Sequence, residues 1–232
     1  MTGNWRDFWD RPNRIYVNDR HRQVHYARVA DDILSELPAE PGVVLDYGCG
    51  EALEADRVAA RCQRLLLCES GSSLRAGLSA RFAGNAAISI MAPEDVADLP
   101  DGELDLVVMN SVLQYLTRED FAALATALRP KLARDGRLIL ADLIPPDSSV
   151  VTDVSSLLGS AAQNGFFLAA LAGLAQTFVS DYRRLRQELG LTTYSEGEIR
   201  ALLEGAGYAA ERRPRNFGFN QQRMAFIARR KS

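Results

Sequence analysis

The sequence predicts an α/β fold built on a doubly wound, mostly parallel sheet, and three observations carry that prediction. Short apolar runs alternate with helix-forming segments through the first 145 residues. The runs at Val43–Leu45, Leu65–Cys68 and Leu104–Met109 close on Asp46, Glu69 and Asn110 rather than on hairpin turns. The first of them feeds Gly48 and Gly50, one residue apart, which lets the chain turn tightly against a bound molecule.

Each element follows from local pattern. Asn18 is a helix cap ahead of an apolar stripe at Val24, Ala27, Ala30, Ile33 or Leu34, and Leu37, which predicts a helix docked on the sheet. Val43, Val44 and Leu45 form a buried strand, and Ala52 to Cys62 is helix-forming sequence. Strands two to five are expected at Leu65–Cys68, Ala87–Met91, Leu104–Met109 and Arg137–Ala141, the last introduced by the turn at Asp135 and Gly136. Ser195 and Glu198 form a capping box for a helix over Glu196–Glu204, which stops at Gly205 and Gly207. Two further strands are expected at Tyr208–Arg213 and Gln222–Ala228.

A strand, a glycine turn and a helix form half of a nucleotide-binding unit, so a dinucleotide and S-adenosylmethionine are both candidate ligands. The dinucleotide pattern requires a third glycine at position 53, where this chain has Leu53. No Gly-Lys-Ser/Thr follows, which excludes a P-loop. Glu69 lies 19 positions beyond Gly50, the spacing of an acid that accepts from ribose hydroxyls in either ligand.

The acid-x-Gly-x-Gly segment at Asp46–Gly50, followed in order by Glu69, the APEDVADLP loop and ELDLVVMNSVLQYL, resembles class I S-adenosylmethionine-dependent methyltransferases over roughly residues 40–145. The resemblance implies a three-layer Rossmann-like fold with a seven-stranded sheet closed by a C-terminal antiparallel hairpin. It implies S-adenosylmethionine as cofactor, held by Asp46, Tyr47, Gly48 and Gly50, by Glu69 and Ser70 at the ribose, by Asp95 and Val96 at the adenine, and by Asn110 and Ser111 at the methionine end. Glu94 competes with Asp95, since a one-residue shift exchanges them. Asp105 is expected to hold a loop by hydrogen bonds rather than to act chemically. Two departures stand out: Ala52 where the family usually has a further glycine, and Gln114 where relatives commonly have histidine. The alternatives are an NAD-dependent oxidoreductase and a non-catalytic protein that binds the cofactor or a lipid.

Composition agrees with one domain. The chain has 232 residues, 47% hydrophobic and 25% charged, enough for a sizeable core. A net charge of −3 argues against a nucleic-acid partner. Cys49, Cys62 and Cys68 lack metal or redox spacing, so no metal site is expected, and they predict reduced thiols and a cytoplasmic setting. The charged, tryptophan-bearing N-terminus does not resemble a secretory signal. The expected organisation is a single domain: an arm and lid helix over 1–38, a cofactor-binding core over 40–145, a helical cap over 146–194, and a closing helix and hairpin over 195–232.

The substrate-facing parts are expected outside the common core. His21 and His25 stand one turn apart on the first helix with Tyr16 and Tyr26 nearby, and are the candidates for a general base, although methyl transfer needs no dedicated one. Trp5, Phe8 and Trp9 supply an apolar anchor for the arm. Val154 to Ser180 is a run of 27 uncharged residues, but Gln163, Asn164 and Gly165 interrupt it and its longest strictly apolar stretch, Phe166–Ala175, has ten residues. A span needs about 20. Two helices joined around Asn164 and Gly165 are expected, capping a pocket for an apolar or lipid-like small-molecule acceptor. The neighbouring Arg183, Arg184 and Arg186 leave peripheral membrane contact through 154–186 as the other reading. Arg212, Arg213, Arg215 and Arg223 are expected to guard a solvated sheet edge.

Overall fold

A computed structural model describes residues 16, 18–148, 154, 158–159, 161–170 and 191–231. Trp5, Phe8, Trp9 and the basic run at 182–186 lie outside the described residues, as does most of the 154–180 segment. In chain order the elements are α1 (Asp19–Leu34), β1 (Val43–Tyr47), α2 (Ala55–Ala59), β2 (Arg64–Cys68), α3 (Ser72–Phe82), β3 (Ile88–Met91), β4 (Leu104–Asn110), α4 (Arg118–Lys131), β5 (Leu132–Leu143), α5 (Glu196–Gly205), β6 (Tyr208–Arg212) and β7 (Met224–Arg230). A 3₁₀ turn over Pro93–Asp98 follows β3, and another over Leu113–Tyr115 follows β4.

The seven strands form one sheet in the order β3-β2-β1-β4-β5-β7-β6. The first five run parallel, and β7 is antiparallel to both β5 and β6. The order reverses between β1 and β4, so a crevice opens at the carboxyl ends of those two strands, where open α/β sheets take their ligands.

Both faces of the sheet are covered, which is why its strands are apolar without alternation. Val43 and Leu45 of β1 pack with Leu138 and Leu140 of β5 against Phe121, Ala125 and Leu128 of α4 and Ile199 and Leu203 of α5. Val44, with Leu106, Val108, Ile139 and Ala141, faces the opposite way, against Ala30 and Ile33 of α1, Val58 of α2 and Leu78 and Phe82 of α3. The period of two along each strand thus sorts neighbouring residues into two cores.

The helix caps are those the sequence predicts. Asn18 Oδ1 accepts from the His21 N–H at 2.8 Å, and the Ser195–Glu198 box closes reciprocally at 3.2 and 2.7 Å. Hydrogen bonds from the Ser195 backbone and side chain, with Arg118 beside it, hold the Glu198 carboxyl down at about 2. Asp105 accepts from the Val43 N–H at 2.8 Å, tying β4 to the start of β1.

Three element boundaries differ from expectation. The helix after β1 is only Ala55–Ala59, because Ala52 adopts a left-handed φ of 44° and the chain must turn before a helix can begin. β5 starts five residues early at Leu132, since Leu104 pairs with Leu132 across a register shift. β7 is displaced to Met224–Arg230, where it can pair with β5 and β6 at once.

A candidate active site at the carboxyl edge of the sheet

The turn after β1 is built around the end of β2. The Gly48 and Cys49 N–H groups share the Cys68 carbonyl at 2.8 and 3.2 Å, and the Gly50 N–H donates to Glu69 Oε2 at 3.0 Å. Gly48 and Gly50 hold φ of 78° and 59°, where side chains are strained. Space is short as well. A Cβ at Gly48 would stand 2.5 Å from Val112 Cγ2, and one at Gly50 would stand 2.8 Å from the Tyr26 hydroxyl.

Two carboxylates flank this turn. Glu69, 6% exposed, also accepts from Ser70 Oγ at 3.1 Å and the Gly71 N–H at 2.9 Å, which orients it at the strand end. Arg75 donates to the Glu69 and Ser70 carbonyls at 2.8 and 2.7 Å. Asp46 has no side-chain hydrogen bond among the described residues, and burial together with the nearby Glu69 charge pushes its carboxyl up to about 7. Two neighbouring carboxylates, with no cation acting on Asp46 among the described residues, favour a positively charged ligand and oppose a pyrophosphate.

After β3, Asp95 Oδ2 accepts from the Ala92 N–H at 2.8 Å, so the acid caps its own 3₁₀ turn, and Val96 is buried beneath it. Tyr47 packs at the margin of the core. At the end of β4 and just beyond it, Asn110 Oδ1 and Gln114 Oε1 are buried without a hydrogen-bond partner among the described residues. Buried acceptors in that condition are costly unless a ligand supplies the donor. Ser111 takes a φ of 58°, and its Oγ donates to Asp142 Oδ2 at 2.7 Å.

Helix α1 leans over the same edge. The Tyr26 hydroxyl accepts from the Glu51 N–H at 2.9 Å, and Arg22 pairs with the Glu51 carboxylate at 3.1 Å. His21 stacks on Phe166, ring centroids 5.0 Å apart and 19° between planes, while the Tyr16 ring lies 5.4 Å from both histidines. Burial, then the neighbouring His21, lowers His25 to about 4. Burial lowers His21 as well. At neutral pH both are uncharged rings of weak basicity.

A family model described as a methyltransferase domain matches residues 19–212. The chain belongs to that family. Solved structures agree on the fold of this methyltransferase. A SAM-dependent methyltransferase from Leishmania major superposes with a TM-score of 0.59 at 13% identity, covering 96% of this chain and 79% of that one. The magnesium protoporphyrin IX methyltransferase of Synechocystis, with bound SAH, gives 0.57 at 17% identity, with 98% and 93% covered. A Burkholderia thailandensis 1,6-didemethyltoxoflavin-N1-methyltransferase, with its substrate and S-adenosylhomocysteine bound, gives 0.55 at 16%, with 91% and 80% covered. No curated protein matches the chain. The fold is that of the class I S-adenosylmethionine-dependent methyltransferases.

In the methyltransferase, the predicted residues Asp46, Gly48, Gly50, Glu69, Ser70, Asp95, Asn110 and Ser111 all fall at the carboxyl edge, at or just beyond the ends of β1 to β4. Asp142 escaped the sequence reading although it ends an apolar run, RLILAD, by the same rule that selected Asp46 and Glu69. Arg75 carried no signal, because its role depends on the α3 turn folding back onto the two carbonyls.

Proposed function

We propose that the chain transfers a methyl group from S-adenosylmethionine to a small-molecule acceptor by in-line displacement. The observation that supports it most is the pair of carboxylates, Asp46 and Glu69, around a glycine turn too tight for side chains. The donor carries an ammonium and a sulfonium, so both of its charges suit this acidic edge. In this reading Asp46, Tyr47, Gly48 and Gly50 meet the amino-acid end, Glu69 and Ser70 the ribose, Asp95 and Val96 the adenine, and Asn110 and Ser111 the methionine end. The NAD alternative is disfavoured by the same carboxylates and by Leu53 at the position of the third glycine.

His21 and His25 are assigned to the wall of the acceptor pocket. An imidazole held near 4 is a poor proton acceptor for a hydroxyl or amine. Alignment of the two reactants and exclusion of water then carry most of the rate, an effect worth about 7–11 kcal/mol in favourable cases. Phe166 turns inward onto Val24, Ala161 and Ala170, which supports a cap with an apolar inner side and an apolar acceptor.

Thermal-shift titration tests the donor. S-adenosylmethionine and S-adenosylhomocysteine are expected to raise the melting temperature and NAD to leave it unchanged; a response to NAD alone would refute the reading. Glu69→Ala is expected to abolish the shift. Comparing metabolites and lipids with and without the gene, for a gain of one methylene unit, identifies the acceptor.

A further inference from the structure

Most of the buried polar side-chain atoms that lack a partner among the described residues belong to Arg22, Arg64, Glu103, Arg213 and Arg223, side chains engaged through their other atoms. The rest are Asn110 Oδ1 and Gln114 Oε1, on side chains that make no hydrogen bond among the described residues. A buried acceptor left without a donor destabilises the fold, which points to a group that arrives from outside. In the reading above Asn110 meets the methionine end of the donor. No part of the donor is assigned to Gln114.

The backbone around Gln114 is rigidly held. The Gln114 carbonyl accepts from the Thr192 N–H at 2.9 Å, and the Leu116 carbonyl accepts from Thr192 Oγ1 at 2.8 Å and from the Tyr194 hydroxyl at 3.3 Å. Leu113 and Tyr194 are buried beneath the turn. The chain running into α5 therefore fixes where the Gln114 side chain starts.

Its neighbours in sequence place it between two parts of the edge. Val112, two residues before, lies against the glycine turn, where a Cβ on Gly48 would stand 2.5 Å from its Cγ2. Tyr115, one residue after, stands near Tyr16: burial above all, then Tyr26, Glu51 and Tyr115, pushes the Tyr16 phenol up. Tyr16 in turn packs on His21, and His21 stacks on Phe166. Gln114 thus lies where the donor turn meets a wall of uncharged rings.

We propose that Gln114 Oε1 receives an O–H or N–H borne by an aromatic methyl acceptor whose ring packs on the wall of Tyr16, His21 and Phe166. The inference rests on the methyl-transfer reading of the edge and narrows the acceptor to a flat, uncharged molecule with a protic group. An amide oxygen takes no proton, so its part is to orient the acceptor against the donor methyl. A site built around such an oxygen rejects a molecule of the same shape without the protic group, because the oxygen is then buried unpaired.

Ligand-observed NMR titration of the full chain tests it in two stages. S-adenosylhomocysteine is titrated first, and failure of the native chain to bind it strikes the donor reading and the proposal with it. The saturated protein is then titrated with two pairs of similar shape, 2-naphthol against 2-fluoronaphthalene for an O–H and indole against 1-benzofuran for an N–H. In at least one pair the protic member is expected to bind at least fivefold more tightly. Gln114→Met removes the oxygen at similar volume and is expected to bring that ratio below twofold, with S-adenosylhomocysteine affinity within threefold of native and a melting temperature no lower. Gln114→Glu keeps an oxygen in place and is expected to keep the preference. Lack of preference in both pairs, a preference that survives Gln114→Met or is lost in Gln114→Glu, or weaker S-adenosylhomocysteine binding or a lower melting temperature in Gln114→Met would overturn the proposal.

Discussion

At the scale of single residues, Asp46 is the most consequential group at the edge, because its environment makes it expensive to ionise until a cation arrives. Its carboxyl is raised from the ordinary value to about 7 in the folded chain. The folded state therefore holds a proton that the unfolded state has released between about pH 4 and 7. Stability from this group is greatest below pH 4, falls as pH rises through that window, and levels off above about 7. Asp46→Asn is expected to match the native chain near pH 4 and to exceed its stability at pH 8, by up to roughly 4 kcal/mol. Denaturant titration at the two pH values checks this. A cationic donor selects the ionised form, so its affinity for the native chain is expected to rise with pH up to about 7 and then plateau, a slope that Asp46→Asn loses. The two glycines belong to the same scale. Gly48 and Gly50 are legible from spacing alone, but the contacts that forbid a side chain there, Val112 for Gly48 and the Tyr26 hydroxyl for Gly50, come from residues 64 and 24 positions away.

Helix α1 shows what an element adds beyond its residues. Its apolar stripe was visible in the sequence, and Val24, Ala30 and Ile33 are indeed buried. What the pattern did not reveal is that its polar face also docks, through Tyr26 and Arg22, onto the backbone and side chain of Glu51. The helix thus braces the turn that is proposed to hold the donor. Tyr26→Phe removes the hydrogen bond from the Glu51 N–H and the one made with the Tyr16 side chain, a loss of about 1–3 kcal/mol in stability. Because the bond is made beside Gly50, donor affinity is expected to fall severalfold more than for Arg57→Ala, whose exposed ion pairs with Asp31 and Glu54 do not involve the turn residues Gly48 to Glu51. Parallel thermal-shift and calorimetric titration of the two variants separates the effects. The boundaries of α2 and β5 escaped sequence reading for a related reason. One residue of left-handed backbone and one register shift set them, and neither leaves a mark in composition.

At the scale of the whole molecule, residues 161–170 present one apolar side that is buried and one that is exposed. Among the described residues no helix is long and apolar enough to cross a membrane. On the turn where Phe166 points inward, Phe167 and Leu168 are 41% and 81% exposed. An apolar acceptor and an apolar outer rim would let the cap rest on a membrane surface. If it does, the chain is expected to sediment with anionic vesicles, and Phe167→Ser with Leu168→Ser to release it while S-adenosylhomocysteine binding is retained. Absence of sedimentation assigns the rim to a purely internal cap.

The sequence by itself determined the fold class, the strand-end acids and the glycine turn, because each depends on neighbours within a few positions or on a fixed spacing along one strand–turn–helix unit. Tertiary structure decided the rest. Only the folded sheet sets Asp46 beside Glu69, joins Ser111 to Asp142 across two strands and braces Asp142 with Asn216 from the distant hairpin. Charge repulsion, backbone strain and hydrogen-bond satisfaction act between groups close in space, and their separation along the chain hides them from any local pattern.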